Sequence, residues 1–442
     1  MNISLSEHFT YKKLFLFTLP SIAMMIFTSV YGIVDGLFVS NIVGETAFTA
    51  VNFIMPVLMI TGSVGFMFGA GGSALVAKTL GEGDRAKANR IFSLIVYTSF
   101  IVGVILAATG FVLMRTIAAA LGAEGEMLEN CVLYGRIVVS AIPMFMLQME
   151  FQSLFITAEK PKLGLAVTVT AGVMNMILDA LFMAVFRWGV AGAAAATAIS
   201  QIVGGVIPLV YFFHENDSLL RLGRTKPDLR ALGKTCSNGS SEFVSQGSMS
   251  LVNMLYNTQL IRYAGEGGVA AYGVMMYVNL VFLAIFIGYS VGAAPIVGYN
   301  FGAKNHDELK NLRRKSIRII AASSVIMLAV SELSAGVFAG IFVGSNEELY
   351  ALTVRGFKIF SISFLFAGTN IFGSSFFTAL NNGLISALIS FLRTLVFQIS
   401  AVIVLPLFFE TDGIFMSVSA AELAAFVLTV AFLAAKRKKY NY

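Results

Sequence analysis

Three polar residues stand inside long apolar runs, at spacings that could do chemistry. In "GVMNMILDALF", residues 172–182, Asn175 and Asp179 lie four apart, so on a helix they share one face. Asp35 sits in a second run, "GIVDGLFVSNIVGETAFTAVNF". An intramembrane carboxylate costs about 2.5–3.5 kcal/mol on insertion scales. Two carboxyls held together away from water can share a proton near neutral pH. Alternatively they can hold Na⁺, with Asn175 supplying a neutral oxygen. The competing structural role is a buried polar network that locks one helix to its neighbours.

The elements that must position these residues follow from composition. Of 442 residues, 57% are hydrophobic and only 12% are charged. Soluble domains carry about 25% charged residues, so the chain is expected to be a polytopic membrane protein. Its apolar stretches are long enough to cross about 30 Å of hydrocarbon as helices. They lack the alternation of a barrel strand. The polar start, "MNISLSEHFTYKK", and the long run after it do not fit a cleavable signal peptide. Cys131 and Cys236 are expected at opposite membrane faces and unpaired, and three scattered His offer no metal cluster. No Walker A motif is present, so no nucleotide-driven motor is expected. The net charge of +6 is better explained by membrane topology than by nucleic acid.

Apolar runs between polar breaks predict helices near 14–40, 48–79, 91–113, 131–157, 163–186 and 191–213. Six more are predicted near 235–261, 268–300, 316–342, 350–379, 384–409 and 413–435. Placing both termini in the cytoplasm puts most of the 30 basic residues inside, from Lys12 and Lys13 through Arg85, Arg221 and Arg313 to Lys436–Lys439. Outer loops then hold Glu124, Glu126, Glu129, Glu347, Glu348 and Asp412. This is the positive-inside pattern.

Laid over itself with Gly44-Glu45 on Gly265-Glu266, the sequence weakly matches itself without gaps. At that same offset Gly71 falls on Gly292, Gly81 on Gly302 and Thr157-Ala158 on Thr378-Ala379. Six helices per half give both halves the same orientation, a parallel repeat about an axis along the membrane normal. The expected organisation is an N-lobe over 1–213, a cytoplasmic linker over 214–234 and a C-lobe over 235–442. Such a pair of lobes suits an alternating-access transporter.

The stretches "LGEGDRAKANR", "NMILDALF", "GVAGAAAATAISQ" and "AAPIVGYNFGAKN", with the Asp35 run, resemble the MATE (multidrug and toxic compound extrusion) family over essentially the whole chain. The pairing of Asp35 with an Asn-x3-Asp resembles its prokaryotic DinF-like branch. The resemblance implies a cation-coupled exporter of organic, often cationic and amphipathic, compounds, with Asp35, Asn175 and Asp179 in an N-lobe cation or proton site. Some branches of the family also place an acidic pair in the seventh and tenth helices; here "IFSISFLFAGTNIFGSSFFTAL" has no acid.

At 1.5 Å per residue, Asn175 and Asp179 fall roughly 18 and 24 Å along their helix and Asp35 about 30 Å along its own. All three are expected in the outer half of the membrane. Under the repeat, Asp35 falls on Tyr256, Asn175 on Val396 and Asp179 on Ser400, so the twin half carries no acid there.

Glu242 is expected about 10 Å into the seventh helix, facing a substrate cavity or bonding Arg393. Gln246, Asn253, Tyr256 and Asn257 are candidates for a polar stripe beside it. Glu150 is placed late in the fourth helix, within reach of the inner interface; Glu332 and Glu422 line the cleft or brace helices. Gly65 and Gly69 have small-xxx-small spacing, which suits close helix packing, with a hinge as the alternative. Pro20 can kink the helix that carries Asp35. Twenty Met and 39 Phe suit an adaptable cavity, though lipid-facing and core packing explain most of them.

The expected function is therefore an H⁺- or Na⁺-coupled antiporter for small organic compounds. It is expected as a monomer in the bilayer of a bacterial cytoplasmic membrane, with no other cofactor and no nucleic acid. The alternatives are a lipid-linked oligosaccharide flippase or metabolite exporter of the same superfamily, and a non-transporting scaffold or receptor. Neither a nucleophile–base set nor a metal cluster suggests an enzyme.

Overall fold

The computed structural model describes residues 3–343 and 346–442, and the described residues are organised by fifteen α-helices. The first half comprises α1 (Tyr11–Phe38), α2 (Glu45–Gly81), α3 (Arg85–Ala120), α4 (Gly125–Ser140), α5 (Ile142–Thr157), α6 (Pro161–Asp179) and α7 (Gly189–Phe213). The second comprises α8 (Leu229–Gly302), α9 (His306–Val343), α10 (Glu347–Ser361), α11 (Phe364–Ala379), α12 (Gly383–Phe391), α13 (Gln398–Val404), α14 (Pro406–Ala435) and α15 (Arg437–Tyr440). Short π-helical segments follow α1 (Val39–Val43) and α6 (Ala180–Val185) and join α12 to α13 (Leu392–Phe397).

Among the described residues, nine helices are individually long and apolar enough to cross a membrane. Two bent pairs add a crossing each: α4 with α5, at 56°, and α10 with α11, at 44°. The first bend coincides with Pro143, which lacks an N–H for the preceding turn. At 74 residues, α8 is far longer than one crossing, and Gly265 (φ 63°, ψ −160°) breaks it into arms over 229–264 and 266–302. That division makes twelve crossings. A similar break at Glu410 (φ 49°, ψ −128°) assigns the start of α14 to the eleventh crossing.

The segment expected as a linker, 214–234, is helical from Leu229 onward. Asp228 caps α8 by accepting from the backbone N–H groups of Arg230 and Ala231, so the helix begins before residue 235. The preceding segment docks on α3: Arg221 N–H donates to Asn89 Oδ1 and Gly223 N–H to Ser93 Oγ, each at 3.0 Å. Leu220 and Leu222 are buried beneath it.

The repeat extends to the turns. Gly44 and Gly265, Gly83 and Lys304, and Gly189 and Glu410 are pairs of equivalent positions in the two halves, and all six have positive φ. The halves meet near the face that carries the first and last described residues, here called the basic face. A Cβ on Gly71 would lie 2.0 Å from Thr235 O, and one on Gly239 would lie 1.9 Å from Met67 O. Helix α1 and the second arm of α8 also touch there, with a Cβ on Gly288 falling 2.5 Å from Ile22 Cα, but toward the opposite face a Cβ on Gly32, Gly36 or Gly273 would meet nothing within 4 Å. The cleft between the halves is therefore sealed at the basic face and opens away from it.

Candidate functional site

Helix α6 buries Gly164, Val167, Thr168, Ala171, Gly172, Asn175 and Asp179, a stripe at three- and four-residue spacing. Gly172 brings this stripe against α1, since a Cβ there would lie 2.5 Å from the Phe27 ring and 3.1 Å from that of Tyr31. Both helices start near the basic face, so two further turns along each bring Asp179 to the depth of Asp35. The two carboxyls are close enough to interact directly. Asp179 is 0% exposed, and neither of its oxygens, nor Oδ1 of Asp35, has a well-formed hydrogen bond within the protein. Asn175 is buried one turn below Asp179.

Two further residues complete this cluster. Tyr134 of α4 is 1% exposed and lies near Asp35, Asp179 and Thr197 of α7, whose hydroxyl is also buried. Each Asp sits at the end of its α-helix, directly before or within a turn of a π-helical segment. Such segments frequently occur at functional sites. Two carboxylates side by side in a low-dielectric lobe repel, and one shared proton or one bound cation relieves that repulsion. Among the described residues no group of three His, Cys, Asp or Glu could hold a metal ion. Further ligands to a cation would thus be neutral oxygens, as Asn175, Tyr134 and Thr197 can offer.

The twin positions in the second half are built differently. Tyr256 is fully buried, its hydroxyl donates to Gln398 Oε1 at 2.6 Å, and its ring stacks on Tyr272 at 5.2 Å. Beside it lies a cavity of about 220 Å³ whose lining includes Glu242, Gln246, Asn253, Tyr256, Asn279 and Arg393. Asn257 is not part of it. On α8 the lining positions 242, 246, 249, 253 and 256 follow helical spacing, and Asn257 falls one residue past that row.

The expected alternative for Glu242, an ion pair with Arg393, is also corrected. Arg393 pairs with Glu422 at 2.8 Å, and the side chains are 15% and 6% exposed. Asn370 Nδ2 donates to the same carboxylate at 2.7 Å. Glu242 feels the Arg393 charge without forming an ion pair.

Other candidates take structural positions. A Cβ on Gly65 would lie 2.6 Å from the Met146 backbone, and one on Gly69 2.9 Å from Glu150 Cα, so both let α2 pack closely on α5. Helix α1 runs unbroken through Pro20. Glu150 does not reach an interface: it is fully buried beside Ser99, with neither carboxyl oxygen in a well-formed hydrogen bond. Glu332 accepts from Ser361 Oγ at 2.8 Å and braces α9 against α10.

Known proteins share this architecture. The chain is 24% identical over 412 residues to the multidrug export protein MepA of Staphylococcus saprophyticus, covering 92% of this chain and 88% of that one. It is 25% identical over 325 residues to MepA of Staphylococcus haemolyticus, covering 73% and 71%. Its fold superposes on a crystal structure of MATE in complex with MaL6, with a TM-score of 0.93, 20% identity and 98% coverage of both chains. It also superposes on a MOP superfamily transporter from Pyrococcus furiosus, with a TM-score of 0.91, 20% identity and 98% coverage of both. At these identities the structural likeness concerns the fold alone. The MatE family model matches twice, over residues 20–181 and again over 243–404. With one match in each half and most of the chain covered, this protein belongs to the MatE family.

Proposed function

We propose that this protein is a cation-coupled antiporter that exports organic, cationic amphipathic compounds by alternating access. The observation that carries the reading is the placing of two carboxyls with buried, unpartnered oxygens, Asp35 and Asp179, near one another in one half only. A proton or Na⁺ enters from outside and neutralises this pair. Substrate occupies the cleft between the lobes and the adjoining cavity of the second half, where Glu242, Tyr256 and Tyr272 offer a negative and polarisable lining. Binding of the ion favours the state in which substrate is weakly held, because a ligand shifts states only by its differential affinity for them. The basic face is cytoplasmic, the membrane is the bacterial cytoplasmic membrane, and the protein acts as a monomer. Relatives named as multidrug export proteins support this substrate class.

Proteoliposomes preloaded with a cationic dye test the reading. Inward ΔpH and Na⁺ gradients are imposed separately, and at least one should drive dye export. Export that is insensitive to both gradients would refute coupling. Transport of a lipid-linked oligosaccharide with no dye export would favour the flippase alternative.

A further inference from the structure

At the basic face α9 carries five cations within nine residues, and they are not equivalent. Lys310 pairs with Asp307 at 3.3 Å, Lys315 Nζ donates to Phe9 O at 2.6 Å, and Arg318 donates to the Tyr11 hydroxyl at 3.1 Å. Among the described residues Arg313 and Arg314 have no anionic partner and no hydrogen-bond acceptor. The Arg313 guanidinium lies over the Tyr442 ring, 5.3 Å from its centroid, and its Nε is buried without an acceptor. Arg437 and Arg314 are both close enough to repel it. The ring is itself fixed, since Tyr442 is 1% exposed and its hydroxyl donates to Leu433 O at 3.1 Å. Arg313, seated on a fixed aromatic ring, with the charges of Arg314 and Arg437 near enough to act on it, forms a concentrated positive site whose missing component is an anion.

The surroundings decide which anion. From Arg314 and Arg318 the exposed face of α9 continues through Val325 and Leu333 into the apolar span. From Arg437 the exposed face of α14 continues through Val430 and Val427. Both helices pack against α11. Apolar stripes on two helices thus begin at one cationic cluster at the edge of the hydrophobic layer, an arrangement suited to a phosphate headgroup above its acyl chains.

We propose that Arg313, Arg314 and Arg437 bind the phosphate of an anionic phospholipid whose acyl chains run along the lipid-facing stripes of α9 and α14. Guanidinium suits this task because it matches phosphate oxygens with paired N–H donors. The site is separate from the Asp35–Asp179 pair and does not depend on the transport reading.

Native mass spectrometry of the full chain in detergent tests the site. Phosphatidylglycerol and phosphatidylcholine of identical acyl chains are titrated in parallel. Each cation near an anionic headgroup contributes roughly fivefold in affinity, so R313Q/R437Q should cut the preference for phosphatidylglycerol by about 30-fold. Arg314→Gln alone, at an exposed position, should cut it about fivefold and guards against misfolding of the double variant. Inorganic phosphate at equal concentration should not displace the lipid. A wild-type protein without preference for phosphatidylglycerol, or variants with the wild-type preference, would overturn the proposal. Displacement by inorganic phosphate would also overturn it, in favour of a free-phosphate site.

Discussion

Gly81 and Gly302 occupy equivalent positions in the two halves and make the same contact in mirrored roles. A Cβ on Gly81 would lie 2.0 Å from the carbonyl of Tyr299, and a Cβ on Gly302 would lie 2.0 Å from the carbonyl of Lys78. Lys78 and Tyr299 are themselves equivalent under the repeat. The contact is therefore made twice about the axis that relates the two halves. Gly71 against Gly239 and Gly292 against Thr18 form a second reciprocal set. At Gly81 and Gly302 the seal is a backbone-to-backbone closure with no room for a side chain.

Valine at Gly81 or Gly302 should hold the lobes apart at this face. Overpacking costs typically about 1–3 kcal/mol, and about 1.4 kcal/mol changes a population ratio tenfold. Each lobe keeps its own core, so expression should persist while efflux falls by about tenfold or more. A cysteine placed at buried Thr18 reports the change. A membrane-impermeant maleimide applied to the basic face should label it faster in the valine variants than in the parent. Equal labelling with full efflux would show that this contact does not close the cleft.

Asp35→Asn and Asp179→Asn should each abolish gradient-driven efflux while leaving expression intact, because both replacements keep the side-chain volume and remove the charge. Tyr134→Phe, which removes only a hydroxyl from the same cluster, should reduce it less. Tyr256→Phe is the control in the twin half: it breaks the bond to Gln398, costs about 1 kcal/mol of stability, and should leave ion dependence unchanged. Normal efflux from both Asp variants would sink the coupling assignment.

The helices, their number and the repeat were legible because hydrophobic length and constant offset survive without tertiary information. Asp35, Asn175 and Asp179 stood out because acids and amides are rare inside apolar runs. Tyr134 and Thr197 carried no such signal. A tyrosine in "CVLYGR" and a threonine in "AAAATAIS" are ordinary residues, and they reach the acids only because α4 and α7 fold back beside α1 and α6. The bond between Arg393 and Glu422 spans 29 residues and competes with Glu242, a choice that only packing resolves. Asn257 lies outside the lining of the second-half cavity because α8 carries polar residues on more than one face, so spacing alone could not tell which face meets that cavity.

Outside the membrane, Asp217 gives a pH dependence with a definite sign. A hydrogen bond from Lys160, and a second from the Tyr211 hydroxyl, hold its carboxyl below the ordinary value of 3.8. A depressed value in the folded state means these bonds stabilise the docked segment above pH 3.8, and that contribution is lost as pH falls through the folded value. Amide hydrogen exchange over residues 216–223, corrected for intrinsic rates, should therefore stay flat from pH 7 to 5 and accelerate below about pH 3.8. Asp217→Asn should remove most of that acceleration. Because the Asp217 side chain is itself 79% exposed, the change should be modest, below about fivefold.

The buried pair of Arg393 and Glu422 should behave asymmetrically when dissected. Two charges removed from water are compensated by their mutual contact and by Asn370, which donates to both the carboxylate and the backbone carbonyl of Glu422. Arg393→Met leaves a buried carboxylate with only the amide for company, and such a loss typically costs about 3–5 kcal/mol. Glu422→Leu leaves Arg393 beside Glu242, which can take over as counter-ion because it already lies within reach of that charge, so the cost should be smaller. The double variant R393M/E422L removes both charges and should be more stable than R393M alone. Thermal unfolding of the four proteins in detergent closes the cycle. The same proteins separate structure from transport: if the pair only braces the π-helical segment after α12 against α14, R393M/E422L should export dye as the parent does. A double variant no more stable than R393M would show that the cost of the single change lies in lost packing of the arginine stem rather than in an unpaired charge.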